Sequence, residues 1–180
     1  QFQYRSEFSN ALIEHEFTAV GYFGLHNVTT AVNNVALGYN AGQALTTGNN
    51  NVALGYGALD AETTGNNNVA VGYNALSNQV GYGENTAVGQ ASMQDNTTGT
   101  SNVAVGQTAL FANTTGSNNT AVGREALLSN TTGDTLTAVG SDALYNNTTG
   151  DFNTVVGYQS GYSNTAASQN TYVGYQAGFA

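Results

Sequence analysis

The sequence predicts an all-β protein, a parallel β-solenoid (β-roll) of about ten coils with 17 residues in each coil. Three observations predict this fold: a glycine that recurs at a fixed interval, a short β-type segment before each such glycine, and a turn motif later in each unit. Together they describe a unit that stacks on copies of itself, which is the arrangement of a solenoid.

The repeat length is constant along the chain. A glycine follows Val or Leu every 17 residues, at Gly21, Gly38, Gly55, Gly72, Gly89, Gly106, Gly123, Gly140, Gly157 and Gly174. Units of constant length can superpose on one another in space, whereas helical hairpin repeats need about 33 residues or more. The short period therefore favours β-coils over pairs of helices.

The first element of each unit is a three-residue β segment, as in Thr137-Ala138-Val139. Side chains alternate along a strand, so the Thr and Val share one side and the Ala lies on the other. We expect the valine side, as at Val122, to point into the coil together with Leu127, and the alanine side to point outwards. The glycine that follows suits a corner where a side chain would clash or where φ is positive.

Two turns complete the unit. The motif Asn-Thr-Thr-Gly is typical of a turn, because Asn caps the turn with its side chain and Gly closes it. It ends at Gly99, Gly116, Gly133 and Gly150. A second corner carries an Asn four residues before the main glycine, at Asn34, Asn51, Asn68, Asn85, Asn102, Asn119, Asn153 and Asn170. Stacked amides can hydrogen-bond from coil to coil, so we interpret both rows as structural.

The core of such a coil is thin, which predicts a homo-oligomer. Few apolar side chains per coil must offset about 1–2 kcal/mol of backbone entropy per residue. Small apolar residues at one outward position suggest a closely packed symmetry mate, in a trimer or a head-to-tail polymer. The predicted oligomer contacts are Ala53, Ala70, Ala87, Ala104, Ala121 and Ala138. The alternative is that alanine fits a cramped interior on both sides of a flattened coil.

A second row of residues changes from polar to aromatic along the chain, five residues after each main glycine. Its apolar part consists of Phe111, Leu128, Tyr145 and Tyr162, followed by Phe179. Facing outwards, this row would form a binding strip for a surface glycan or a protein receptor. Facing inwards, it would thicken the core. A further row, Tyr22, Tyr39, Tyr56, Tyr73, Tyr158 and Tyr175, predicts a stacked tyrosine ladder that supports the coils.

The sequence offers no convergent catalytic set, so we predict no enzyme activity, no cofactor and no metal site. The two histidines, His15 and His26, lie near the N-terminus, and Asp60 and Glu62 occupy variable turn positions. Two carboxylate pairs lie one coil apart and could in principle share a cation: Glu125 with Asp142, and Asp134 with Asp151. A calcium-binding repeat rich in glycine and aspartate is not present.

Composition excludes several classes of function. The chain has 2 basic and 11 acidic residues and a net charge of −9, so it cannot neutralise a row of phosphates or an anionic membrane surface. It has no cysteine, which excludes disulfides, thiol catalysis and cysteine-bound metals. No apolar run approaches the roughly 20 residues of a membrane span, and the first residues do not form a signal peptide.

Repeated Ala-Val-Gly-x-x-Ala-Leu with Asn-Thr-Thr-Gly turns resembles the β-roll head repeats of trimeric autotransporter adhesins and the repeats of phage tail fibres. The resemblance covers residues 18 to 180. It implies a left-handed parallel β-roll, three chains to a fibre, a role in attachment, and a location outside the cell, on its surface or on a virion. The longer coil and the Thr-Thr-Gly corner depart from the adhesin pattern and favour the tail-fibre relatives.

We therefore predict a degenerate N-terminal cap or connecting segment, residues 1–17, and a solenoid domain, residues 18–180. The predicted function is a non-enzymatic fibrous structural and adhesion module of a phage tail fibre or bacterial surface adhesin. One alternative is a self-polymerising extracellular filament subunit joined head-to-tail through its termini. Another is an ice-binding solenoid that uses the paired threonines Thr46-Thr47, Thr63-Thr64, Thr97-Thr98 and Thr114-Thr115.

Overall fold

The computed structural model describes residues 17–179. Within them, ten strands form one parallel sheet whose strand order equals the chain order. The strands are β1 Phe17–Val20, β2 Asn34–Leu37, β3 Val52–Leu54, β4 Val69–Val71, β5 Thr86–Val88, β6 Val103–Val105, β7 Thr120–Val122, β8 Thr137–Val139, β9 Thr154–Val156 and β10 Thr171–Val173. Each strand pairs only with the strands one coil away, so the chain winds as a solenoid and the predicted fold class is confirmed.

Strand register equals the repeat length. Ala87 lies opposite Ala104, and Val88 lies opposite Val105, 17 residues further on. Equivalent residues of all coils therefore form straight rows along the stack. Backbone hydrogen bonds between coils continue outside the strands, for example from the Leu110 amide to the Ala126 carbonyl at 2.9 Å. The coil thus satisfies its backbone polar groups by stacking on its neighbours.

The orientation of the strands is the reverse of the one that the sequence analysis expects. The central residue of β2 to β8 is an alanine that is 0–2% exposed. The flanking Val103 and Val105 are each 37% exposed, and Val122 is half-buried on the same outer side. Leu127 lies in the core, as predicted. The alternation of side chains along the strand correctly predicts that Thr and Val share one side and Ala lies on the other. The interior is too narrow for the larger side chains, so the alanine lies inside.

The core is a flat layer between the alanine row and a leucine row. The leucine row lies on the second side of each coil and consists of Leu59, Leu76, Met93, Leu110, Leu127 and Leu144. These side chains are 0% exposed and belong to one continuous cluster along the stack. Val155 and Tyr172 replace the alanine in β9 and β10. These larger side chains face Gly161 and Gly178, which replace leucine in the leucine row, so a larger residue in one wall requires a smaller residue opposite.

Both asparagine rows bond coil to coil, in agreement with their structural interpretation. In the Thr-Thr-Gly corner, the Asn113 amide nitrogen donates to Asn96 Oδ1 at 2.7 Å and to the Gly116 carbonyl at 2.9 Å. In the second row, the Asn119 backbone amide donates to Asn102 Oδ1 at 2.9 Å. Most of these buried amides are therefore satisfied by their own copies in adjacent coils, whereas Asn147 Oδ1 has no hydrogen-bond partner among the described residues.

The predicted N-terminal segment, residues 1–17, lies outside the described residues except for Phe17, which begins β1 and packs against the core. The predicted solenoid domain is described as far as Phe179. In the part of the chain that the structure describes, no helix has the length and apolar character needed to cross a membrane.

We expect the solenoid to tolerate the loss of one whole coil. Deleting residues 104–120 joins Val103 to Ala121, keeps every row in register and should leave a shorter folded stack. Deleting residues 104–111 instead shifts every later row and should abolish the fold. Far-UV circular dichroism and thermal unfolding compare the two variants. Equal loss of structure in both would contradict a solenoid of independent coils.

Candidate functional site

The outer side of the sheet carries two side-chain rows, which together we call the β face. They flank the central residue of each strand and contain only Val, Leu and Thr. The first row is Thr18, Val35, Val52, Val69, Thr86, Val103, Thr120, Thr137, Thr154 and Thr171. The second row is Val20, Leu37, Leu54, Val71, Val88, Val105, Val122, Val139, Val156 and Val173.

The side chains of the β face are exposed on their outer side, where no other described part of the chain covers them. Each side chain in a row is covered above and below by the next coil, about 4.8 Å away, so its remaining exposure is directed outwards. Leu37 still exposes 52% of its surface, and Val35 exposes 40%. A flat apolar surface of this length on one chain is typical of an interaction site.

The predicted oligomer contact must be corrected. The alanine row lies inside the coil of a single chain, so these side chains offer no surface to another chain: Ala53, Ala70, Ala87, Ala104, Ala121 and Ala138. The alternative that alanine fits a cramped interior describes the arrangement found. Sequence reasoning missed the β face because it assigned the valines to the core, although the uniform Val, Leu and Thr of these rows was a visible signal.

The predicted binding strip lies on the second side of the coil. Phe111, Leu128, Tyr145 and Tyr162 are all partly exposed and lie outside the buried core cluster. The Tyr145 and Tyr162 rings stack with centroids 5.1 Å apart, and Tyr162 stacks on Phe179 at 5.3 Å. Desolvation, followed by the nearby Glu125 carboxylate, raises the pKa of Tyr145 above its usual value. The strip is therefore a surface feature rather than an extension of the core.

The predicted tyrosine ladder is present at the N-terminal end of the stack. Tyr22, Tyr39, Tyr56 and Tyr73 are exposed and stack with centroids 5.2–5.4 Å apart and interplanar angles of 8–17°. We call these four residues the tyrosine ladder. Gln90, Gln107, Arg124 and Ser141 continue the row, and a separate pair, Tyr158 and Tyr175, stacks at 5.6 Å.

The acidic pairs are stabilised by groups of the chain itself. Arg124 bridges Glu125 at 3.0 Å and Asp142 at 3.1 Å. Asp134 accepts the Ser117 amide at 2.6 Å, and Asp151 accepts the Asp134 amide at 2.7 Å. These bonds relieve the repulsion between stacked carboxylates. Residues 17–179 contain no group of three or more His, Cys, Asp or Glu that could hold a metal ion.

The two remaining titratable residues of the sequence analysis differ in their environments. His15 lies outside the described residues, and the exposed His26 ring packs edge-on against Phe23 at 4.8 Å. Asp60 is partly buried, and desolvation raises the pKa of its carboxyl above the usual value. Among residues 17–179, no hydrogen bond or ion pair joins the side chain of His26 or Asp60 to a second titratable group that would complete an acid–base pair.

Glu62 has a structural role that sequence reasoning missed. Its carboxylate is buried, and Oε1 accepts the amides of Thr63, Thr64, Gly65 and Gly81 at 2.6–2.9 Å. It stands where later coils carry the corner asparagine. The 17-residue spacing could have identified this position, because the residue one coil later is Gln79 and the next is Asn96.

The threonine pairs do not form a free two-column array. Except at Thr63, the first hydroxyl of a pair donates to the next coil, as from Thr97 to the Thr114 carbonyl at 2.8 Å and from Thr114 to the Thr131 carbonyl at 3.0 Å. Only the second threonine of each pair, such as Thr98, is exposed without such a bond. A single column is a poorer match to an ice lattice than the flat array that this hypothesis requires.

The chain matches no protein-family model, no curated protein and no solved structure. Its resemblance to adhesin heads and phage tail fibres therefore depends on the repeat motif alone. The fold agrees with that resemblance at the level of a parallel β-solenoid built from tandem repeats.

Proposed function

We propose that the chain is a non-enzymatic structural and adhesion module of a fibre, such as a phage tail fibre or a bacterial surface adhesin. It assembles as a parallel homotrimer through the β face and acts outside the cell or on a virion. The observation that carries this proposal is the exposed β face, which presents two uninterrupted rows of Val, Leu and Thr over ten strands.

Covering the β face supplies enough free energy for association. The two rows hold fourteen Val or Leu side chains. Each is already partly covered by its neighbours, so its burial contributes about 1 kcal/mol, less than the 1.5–3 kcal/mol of a fully exposed side chain. The sum over one chain is comparable to the roughly 4–15 kcal/mol that association costs, and every partner adds its own rows.

The composition of the β face favours parallel chains in register. Its first row is Val in β2, β3 and β4 but Thr in β7 to β10. A parallel arrangement places Val against Val and Thr against Thr. An antiparallel arrangement would bury threonine hydroxyls against valine without hydrogen-bond partners, which is costly. Three chains about one axis is what the resemblance implies.

Adhesion is assigned to the binding strip. Phe111, Leu128, Tyr145 and Tyr162 follow the leucine row on the second side of the coil, away from the β face. Chains that cover their β faces leave this second side in solvent. An exposed aromatic row suits contact with a surface glycan or a receptor protein.

Lysine substitutions on the β face should dissociate the oligomer without unfolding it. Leu37→Lys, Val71→Lys and Val105→Lys lie in alternate coils, so the new charges do not stack on one another. Each side chain points outwards, so the coil can keep its fold while the interface gains buried charge. Light scattering should change from three times the 18.5 kDa chain mass to the mass of one chain.

The matched control places the same charges elsewhere. Thr47→Lys, Thr98→Lys and Thr132→Lys lie at exposed corner positions and should leave the mass unchanged. A wild-type chain that is monomeric at micromolar concentration would contradict the proposal. A mass that grows with concentration would instead support the head-to-tail filament.

A further inference from the structure

The tyrosine ladder presents ring edges and hydroxyls, not ring faces. Tyr39 and Tyr56 lie 5.2 Å apart with an interplanar angle of only 8°, and Tyr22 and Tyr73 continue the stack on either side. Each inner ring is therefore covered on both faces by its neighbours. Sugars that stack on aromatic rings need a free face, which the inner rings do not offer. A ligand that contacts several rings must lie across their edges, along the fibre axis.

An apolar row runs beside the ladder. Val20, Leu37, Leu54 and Val71 precede the four tyrosines by two residues. The residues between the two rows are Gly21, Gly38, Gly55 and Gly72, which carry no side chains. The glycines thus leave an open straight strip, with an aromatic row on one side and an aliphatic row on the other. This strip extends over four coils.

The charge of this region selects the sign of a ligand. The chain has a net charge of −9, and Arg124, far along the stack, is the only basic residue between residues 17 and 179. Asp60 follows Tyr56 in the same coil, and Glu84 follows Tyr73 in the same coil. No Lys or Arg lies between residues 17 and 123 to neutralise these carboxylates. The resulting negative potential attracts cations, and aromatic rings add cation–π attraction.

The spacing of the ladder selects the shape of a ligand. Rings repeat every 5.2–5.4 Å, whereas alternate side chains of an extended peptide repeat about every 6.6 Å, so a bound peptide falls out of phase after two or three rings. A rigid flat molecule has no repeat that must match. It can contact every ring that it spans.

We propose that the strip between the tyrosine ladder and its aliphatic row binds elongated, planar aromatic cations, with the long axis of the ligand parallel to the fibre axis. The ladder lies one glycine beyond the strand, so it forms the rim of the β face. The tyrosine edges stay accessible when another chain covers the centre of that face. The aliphatic row of the strip belongs to the β face, so a partner chain that covers this row competes with the ligand, and thioflavin T should bind more tightly at chain concentrations below those of assembly.

Thioflavin T is a suitable probe, because it is a flat cation whose fluorescence rises when its two rings are held coplanar. We expect saturable binding to the wild-type chain and at least a tenfold loss of affinity in Tyr39→Ala/Tyr56→Ala, which interrupts the ladder. The control Tyr158→Ala/Tyr175→Ala removes the same number of stacked rings from the same row, outside the ladder. It should retain wild-type affinity. Equal affinities in all three proteins, or equal losses in both variants, would overturn the proposal.

Two measurements on the wild-type chain test the charge and the orientation without substitutions. The affinity should fall as salt is added, and the flat anion pyrene-1-sulfonate should not displace thioflavin T. A crystal structure of the wild-type protein with bound thioflavin T should place the long axis of the dye along the fibre axis. Displacement by the anion, or a dye axis perpendicular to the fibre, would each refute the proposal.

Discussion

Replacing Ala87 by Glu is expected to unfold the centre of the solenoid, with a loss on the order of 5 kcal/mol in the free energy of unfolding. Ala87 is 0% exposed, and its row neighbours Ala70 and Ala104 are equally buried. The flat core leaves no room for a longer side chain, and the one Lys or Arg among the described residues, Arg124, lies two coils further along the stack. An unpaired buried carboxylate costs several kcal/mol even after relaxation.

Urea unfolding followed by far-UV circular dichroism measures this loss. Gln90→Glu is the matched control, because it introduces the same charge three residues later at an exposed position and should shift the midpoint little. If Ala87→Glu keeps the wild-type midpoint and only lowers the native mass, then the alanine row contacts a neighbouring chain after all.

Replacing Gly106 by Ala is expected to be nearly as damaging, with a loss of roughly 3 kcal/mol or more. The residue has a φ of +140°, which side chains other than hydrogen rarely allow. A Cβ atom there would lie 2.4 Å from the Gly123 carbonyl oxygen of the next coil. Relief of that clash requires the two coils to separate, which breaks the backbone bonds that join them.

Thermal unfolding of Gly106→Ala and Gly24→Ala compares two glycines that differ in these constraints. A Cβ atom at Gly24 would lie 3.7 Å from its nearest neighbour, the Ala19 Cβ, which is an ordinary contact. We expect a clear fall in the melting temperature for Gly106→Ala and a small change for Gly24→Ala. Similar melting temperatures for both variants would show that the coil spacing is more adaptable than the close contact indicates.

The fold could be predicted because the period, the short β segments and the turn residues all agree on one coil. The side that each strand presents to the core could not. In Thr137-Ala138-Val139 both sides carry apolar atoms, so hydrophobicity does not choose between them. The choice depends on the distance between the sheet and the leucine row, which is a property of the folded coil. Only alanine fits opposite Leu127 and Leu144.

For the candidate surfaces too, the sequence predicts which residues form a row but not which side of the coil the row faces. The 17-residue spacing predicts which residues form rows, so the stacking of Tyr39 on Tyr56 and of the binding-strip residues Tyr145 and Tyr162 could be expected, whereas the outward direction of the binding strip could not. The β face was missed because the orientation of the strand was reversed. Glu62 differs: the 17-residue spacing places it in the corner row, but its hydrogen-bond partners are backbone amides, which no pattern of side chains reveals.

The corner at Glu62 has a consequence for how the stack comes apart. At most other corners, two or three amides donate to a carbonyl of the next coil, as Thr97, Thr98 and Gly99 do to Thr114, whereas at the corner after Glu62 only Val80 does so. Of the four bonds to the Glu62 carboxylate, only the one from Gly81 crosses between coils. In a linear array, stability is set by the coupling between neighbours, and a weakened junction separates blocks that melt independently. The strands still pair across this junction, so we expect the stack to open first along this part of its corner side while β3 and β4 stay joined.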